Sequence, residues 1–419
     1  MGRRERDDPG RRSPQACTVV ASSAIRASVA ERHIRERRLG RRGAKQSSAP
    51  CEAIDGLDSE QRPCRPVLLC HGLPIVCEAA VLHRTDILAH LTSSDPSSLF
   101  AQADAVRKVE HGDGVLLSGL LAFSSYCTSN CLYCGLRSSN RELPRFRMSR
   151  SEIVRAALEA WRAGLGSVVL QAGEDSKIGP EAIAGIIAEL RAQSDIGIAL
   201  SIGEFHPGAY ALWRAAGADR YFLRFETSNS ALYEWLRPGR SLQDRLRCLK
   251  LLADLGYQTG SGSLVGLPRQ TLGDLADDLL LMAGLPLDMV GIGPFVPHPQ
   301  TPLGSLETAQ QAGRNEHTPA RACDLFDLSL RCIAIARLLL PKAHIPAATA
   351  LSALREGGRS RALQTGANVM MQDVTPSAHK RLYEIYPNRL CREEASRDQH
   401  AWVHDQGRFI QSGRGDAIR

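Results

Sequence analysis

The stretch Ser125-Tyr126-Cys127-Thr128-Ser129-Asn130-Cys131-Leu132-Tyr133-Cys134-Gly135 sets three thiols at C-x3-C-x2-C spacing, with an aromatic side chain immediately before the last. Three thiolates cannot close a four-ligand site. A cubane iron–sulfur cluster takes four cysteines, one per iron, so a tight triplet points to a [4Fe-4S] cluster with one iron open to a small chelating ligand. Structural zinc sites pair two C-x2-4-C knuckles or add histidines at their own spacing, and neither lies nearby. The plain alternative is three unrelated buried or free thiols.

Working outward, residues 115–123 form an apolar run that reads as a strand delivering this loop from its C-terminal end. Residues 149–164 read as a helix opened by a capping box, Ser149 with Glu152 three residues on. Further strands are expected at 167–171, 197–202, 220–225, 258–264, 288–295, 344–349 and 368–371, with helical stretches such as 241–255 between them. Eight strands alternating with helices predict an α/β fold, a parallel (β/α)8 barrel. In such barrels the active site lies at the C-terminal ends of the strands.

A chain of 419 residues with 43% hydrophobic content holds one barrel of about 200–250 residues plus appendages. No apolar run approaches a membrane span of about 18 residues. Twelve cysteines in a long chain without a clear signal peptide, three of them clustered, read as a metal site in a reducing compartment. A cytoplasmic protein is expected.

The formal charge of +7 comes largely from the arginines between Arg3 and Arg42. That arm lacks aromatics for base stacking and lacks a periodic apolar face, so it reads as a disordered extension and not as a nucleic-acid binder. Glu5, Asp7, Asp8, Glu31 and Glu36 interrupt it, which argues against a transit peptide without closing the question of organellar targeting. Cys17, Cys51, Cys64, Cys70 and Cys77 are too dispersed for a second cluster.

Polar residues gather at the expected strand ends. After the second strand comes Gln171-Ala172-Gly173-Glu174-Asp175, where Gly173 permits close backbone approach and Glu174 offers a carboxylate to an ammonium group. Arg224 and Glu226 share one face at the end of the fourth strand, because side chains alternate with period two. They read either as a structural ion pair or as a device for binding a zwitterion. Arg245, on the following helix, could grip a carboxylate through a bidentate fork, or be a solvated surface residue.

The C-x3-C-x2-C loop with Tyr133 resembles the signature of the radical S-adenosylmethionine (SAM) enzymes, in which SAM chelates the open iron. Longer segments resemble one family more specifically, the FeFe-hydrogenase maturase HydE, relatives of biotin synthase and methylornithine synthase. They are Cys134-Gly135-Leu136-Arg137, 170–175, 217–221, 289–299 and 366–371. The resemblance implies cluster ligation by Cys127, Cys131 and Cys134, and SAM binding by Tyr133, Gly173, Glu174, Glu226 and Arg245. It further implies a cavity lined by Gln171, Arg224, Met289, Thr349, Met371 and Tyr383. From the residues alone, Met289, Met371 and Tyr383 would be packing side chains.

The implied organisation is a basic extension at 1–80, a helical lead-in at 81–113, a radical SAM barrel at 114–388 and a tail at 389–419. Of a C-x7-C-x2-C auxiliary cluster site carried by many relatives, only Cys391 remains, with Gln399 and Trp402 in the other positions. Phe225 stands where a histidine often precedes Glu226, and Ala348 where a threonine often precedes Thr349. The implied activity is reductive cleavage of SAM to a 5′-deoxyadenosyl radical during assembly of the hydrogenase di-iron subcluster. The substrate would be a small or organometallic molecule, and the implied partners are an external electron donor and other hydrogenase maturases. A methylornithine synthase-like mutase, a biotin synthase-like enzyme and a non-catalytic iron–sulfur scaffold stay open.

Overall fold

Strand β1, Gly114–Ser124, ends on the cysteine loop and anchors the sheet. The computed structural model describes residues 82–305, 324–387, 389, 403–404 and 407–416. The basic arm and the positions Cys391, Gln399 and Trp402 lie outside them.

The remaining strands are β2 Ser167–Ala172, β3 Gly197–Ser201, β4 Arg220–Phe222, β5 Gln258–Ser261, β6 Leu264–Val265, β7 Met289–Val290, β8 Gly293–Pro294, β9 Val369–Asp373 and β10 Phe409–Gln411. Every pairing is parallel, in the order β1-β2-β3-β4-β5-β7, with β9 on β1 and β6 beside β8. The sheet curls until isolated bridges from Met289 to His344 and from Pro346 to Val369 close it into a ring. Residues 344–346 thus occupy the seventh position expected for a strand. Pro346 has no N–H to give a ladder, and the pairing stays at bridges.

Helices return the chain between strands on the outside, among them Arg150–Arg162, Pro180–Gln193, Pro207–Ala216, Leu242–Asp254 and Leu272–Gly284. Ser149 and Glu152 form the reciprocal capping box, and Pro180 and Pro207 occupy first-turn positions where a missing N–H costs nothing. Alternation divides each strand between two environments. In β4, Arg220 and Phe222 face the barrel interior, while Tyr221 points out and packs on Tyr210, Trp213 and Tyr257 at ring separations of 5.1, 6.3 and 5.9 Å. All four rings are buried, and truncating one such side chain to alanine typically costs about 3–5 kcal/mol.

The runs expected at 258–264 and 288–295 are each interrupted, giving β5 with β6 and β7 with β8. Between β5 and β6, Glu226 bridges Ser263, donating its N–H to Gly262 O at 3.0 Å and accepting from Leu264 N at 2.9 Å, one residue out of the register that β4 keeps with β5. Gly262 passes so close to Gly291 that a Cβ would lie 1.9 Å from its carbonyl oxygen.

At the N-terminal ends of the strands, β10 pairs with β1 and residues 413–416 continue across the barrel floor. Arg220 donates from Nη2 to Arg414 O at 2.6 Å and to Asp416 Oδ1 at 3.0 Å, and His344 Nε2 lies 3.3 Å from Asp416 O. Among the described residues no helix is long and apolar enough to cross a membrane.

Candidate active site

One cavity of about 450 Å³ occupies the barrel, in the range of small-molecule sites. Cys127, Cys131, Cys134, Tyr133, Gly173, Glu174, Glu226 and Arg245 line it, as do Gln171, Arg224, Met289, Thr349, Met371 and Tyr383. Gly413, Arg414 and Gly415 contribute at its floor.

The cysteine loop is fixed from beneath by the turn after β2. Thr128 N and Oγ1 both donate to Glu174 O, at 2.9 and 3.1 Å, and Glu174 N donates to Cys127 Sγ at 3.4 Å. Gly173 makes this approach possible, since a Cβ there would meet Tyr126 O at 2.2 Å and Cys127 Cβ at 2.7 Å. Asp175 is clamped by Arg147 at 2.6 and 2.7 Å and by Ser124 Oγ at 2.6 Å. Burial opposes its ionisation, but these bonds, with one from Lys177 N, hold its carboxyl below the usual carboxylate range.

The Glu174 carboxylate already has three partners. Ser129 Oγ donates to Oε2 at 2.6 Å, Arg237 lies 3.1 Å from Oε1, and Arg240 pairs with Oε2. Glu174 organises the loop through its side chain and its carbonyl alike.

Glu226 follows β4 with φ of 66°, in the left-handed region that glutamate rarely adopts. Tyr133 donates to its Oε1, and Arg224 Nε faces its Oε2 at 3.3 Å. The expected pairing of Arg224 with Glu226 is therefore present. Neither Glu226 Oε2 nor Arg224 Nε has a hydrogen bond among the described residues, however, and the same holds for Arg237 Nε and Gln171 Oε1. These buried polar atoms border a cavity. Arg245, 2% exposed, directs Nε to Tyr233 Oη at 3.1 Å and lies against Glu204 Oε1 at 2.8 Å. Burial raises the Glu204 carboxyl above its usual range.

Arg237, Arg240 and Glu204 were not singled out from the sequence. Their signal was thin: two cations flanking Pro238-Gly239 after a short amphipathic helix, and one acid after β3, each of which reads as solvated loop charge. Thr349 and Tyr386 share a short hydroxyl–hydroxyl bond in the cavity wall. Ala348 lines the cavity, whereas Phe225 is fully buried in the outer core. His298 is buried outside the lining, with Nδ1 accepting from Gln300 N at 3.1 Å.

A closed ring of parallel strands whose first member hands a C-x3-C-x2-C loop to an internal cavity defines a radical SAM protein, and residues 121–282 match the Radical SAM superfamily. Over 294 residues the chain is 44% identical to FeFe hydrogenase maturase subunit HydE of Thermotoga maritima, spanning 70% of this chain and 80% of that one. It belongs to this maturase family. It is also 27% identical over 299 residues to 3-methylornithine synthase of Methanosarcina acetivorans, spanning 70% of this chain and 79% of that one. The crystal structure of methylornithine synthase (PylB) shares the fold, with a TM-score of 0.67 at 23% identity over 79% of this chain and 94% of that one.

The superfamily uses a [4Fe-4S] cluster and SAM, and the residues present fit both. Cys127, Cys131 and Cys134 are free thiols on one wall of the cavity. Burial pushes the Cys127 thiol up to about 11 and raises those of Cys131 and Cys134, so the thiolates need a bound metal to be stabilised. Among the described residues, no three His, Cys, Asp or Glu side chains are grouped to share a single ion. Three sulfurs serving three separate irons do not have to be. For SAM, a zwitterion, the cavity wall carries both signs: Glu226 and Arg224, paired at 3.3 Å, and Arg237, whose Nε has no hydrogen bond among the described residues.

Proposed function

We propose that this chain reductively cleaves SAM within its barrel and directs the resulting radical onto a small molecule held below, in the assembly of the di-iron site of an FeFe hydrogenase. The observation that carries this reading is the barrel cavity, whose wall holds the three thiols together with Arg224, Thr349 and Gln171, in a chain of this maturase family.

Cys127, Cys131 and Cys134 would hold the cluster, which when bound would supply the electron for reductive cleavage of SAM. The chain's own part is to bind, orient and exclude water. Tyr133 and Glu226 present a hydroxyl and a carboxylate to the SAM side of the cavity. Arg245 presents a guanidinium, kept in place by Tyr233 and Glu204. Arg224 and Thr349 suit an anionic or strongly polar substrate group, Gln171 leaves an acceptor free, and Met289 and Met371 shape an apolar wall. An external one-electron donor feeds the site, and other maturases supply its substrate or receive its product.

The test is anaerobic reconstitution with iron and sulfide, then dithionite and SAM, quantifying 5′-deoxyadenosine in the wild type and in Cys131→Ser. Product that vanishes in the variant supports the reading. A formed cluster that yields none would leave an iron–sulfur scaffold in its place, and turnover of ornithine, lysine or dethiobiotin would reassign the substrate.

A further inference from the structure

Asp278 sits on the buried face of the Leu272–Gly284 helix beside Leu275, Ala276, Leu279 and Met282, with no exposed surface. A carboxyl in such a stripe is costly unless its oxygens are satisfied, and no basic side chain pairs with it among the described residues. Three of its four hydrogen bonds come from a different part of the chain. Oδ1 accepts from Ser228 Oγ at 2.6 Å, from Ser228 N, and from Thr227 Oγ1 at 3.3 Å. Oδ2 accepts from Gln270 Nε2 at 3.2 Å.

Both sets of bonds bear on Glu226. Thr227 and Ser228 are the residues through which the chain leaves the left-handed turn at that position. Gln270 holds the strand against which the turn pairs: Nε2 donates to Leu264 O at 2.9 Å, and Oε1 accepts from Gly266 N and Leu267 N at 2.8 and 3.1 Å. Leu264 N in turn donates to Glu226 O. One carboxyl thus fastens the segment after the turn and, through one side chain, the strand beside it. A glutamate with positive φ persists only where its surroundings over-determine it, and Asp278 is the group on which those surroundings converge.

We propose that Asp278 is a positioning residue for SAM: it does not line the cavity, and it holds Glu226 in the left-handed turn that aims its carboxylate at Tyr133 and Arg224. The proposal rests on the reading of Glu226 as a SAM contact, and the experiment separates the two. Burial pushes the Asp278 carboxyl up to about 7, and all four of its hydrogen bonds are donated to it. Asn is therefore the conservative replacement; it keeps Oδ1 but turns an amide toward Gln270.

Asp278→Ala, Asp278→Asn, Glu226→Gln and the packing control Leu279→Ala are compared well below their melting temperatures. Three quantities are read: iron per chain after reconstitution, the SAM dissociation constant by equilibrium dialysis, and amide hydrogen exchange at residues 226–228 in metal-free protein. Asp278→Ala is expected to weaken SAM binding by about tenfold or more and to speed exchange at Ser228, with iron content retained. Asp278→Asn should fall between it and wild type, and carries the test if the alanine variant does not fold. Leu279→Ala should lower the melting temperature and leave all three readouts alone. If the Asp278 variants behave like Leu279→Ala, the positioning role is overturned. If Glu226→Gln binds SAM as wild type does, the reading of Glu226 fails and the proposal with it.

Discussion

Tyr133 donates its hydroxyl hydrogen to Glu226 Oε1 at 3.2 Å, joining the aromatic residue of the cysteine loop to the turn that follows the fourth strand. The pair spans the two parts of the chain proposed to hold the cluster and SAM, so each carries information about the position of the other.

Tyr133→Phe keeps the ring and removes this bond. Hydrogen bonds to a charged partner contribute about 1.5–3 kcal/mol, so the SAM dissociation constant should rise by about tenfold or more with cluster content unchanged. Equilibrium dialysis on reconstituted protein measures it. An unaltered constant would show that Glu226 holds its orientation without the loop.

Gly173→Ala drives a methyl group into Tyr126 O and Cys127 Cβ. Overpacking of this kind costs about 1–3 kcal/mol, and here the displaced atoms belong to a proposed cluster ligand. Reconstituted protein should bind markedly less iron and sulfide. Gly284→Ala, where no atom lies within 4 Å of the new Cβ, should bind the wild-type amount.

Arg245 lies 2.8 Å from Glu204, and both are largely buried. Arg245→Gln takes the nearest cation from a buried acid that keeps Arg240 at 3.2 Å, and should destabilise the fold by about 3 kcal/mol. Adding Glu204→Gln should recover part of that loss, a coupling of about 0.5–3 kcal/mol. Urea unfolding of the two single variants and the double variant closes the cycle, and strict additivity would mean that the pair is not coupled.

These predictions differ in how far the sequence already contained them. The ring of strands was legible because apolar runs of strand length alternate with capped amphipathic helices, and the cysteines and Glu226 because their spacing and place at strand ends are local. The interruption of the fifth and sixth strands was not, since the one-residue shift at Glu226 beside them is a tertiary event with no mark in residues 258–264 or 288–295. Arg237, Arg240 and Glu204 escaped for a related reason. A charge in a loop looks solvated until the fold buries it, and only then does its partner become known.

His344 accepts from Asn368 Nδ2 at 3.0 Å through Nδ1, which leaves the proton on Nε2 facing Asp416 O. Burial pushes its pKa down to about 4, and burial together with Arg337 pushes that of His111 to about 3. An unfolded histidine titrates near 6.5. Between that value and the folded ones the unfolded chain binds protons that the native protein refuses, so stability is intact above about pH 6.5 and is lost as pH falls. The slope is up to about 1.4 kcal/mol per pH unit for each group. His344→Gln should flatten this dependence between pH 6 and 4 in urea unfolding, and an unchanged slope would place the acid sensitivity elsewhere.

Residues 413–416 cross the floor of the barrel while the cysteine loop lies at the opposite end of the strands. A small substrate that enters from the cysteine-loop end passes the thiols, Glu226 and Arg245, which line the cavity. On the proposed assignment this imposes a compulsory order: the small substrate enters first, SAM closes over it, and the product leaves only after methionine and 5′-deoxyadenosine have gone. Steady-state rates should then pass through a maximum and decline as SAM is raised at fixed substrate, because SAM loaded on an empty barrel bars the way to it.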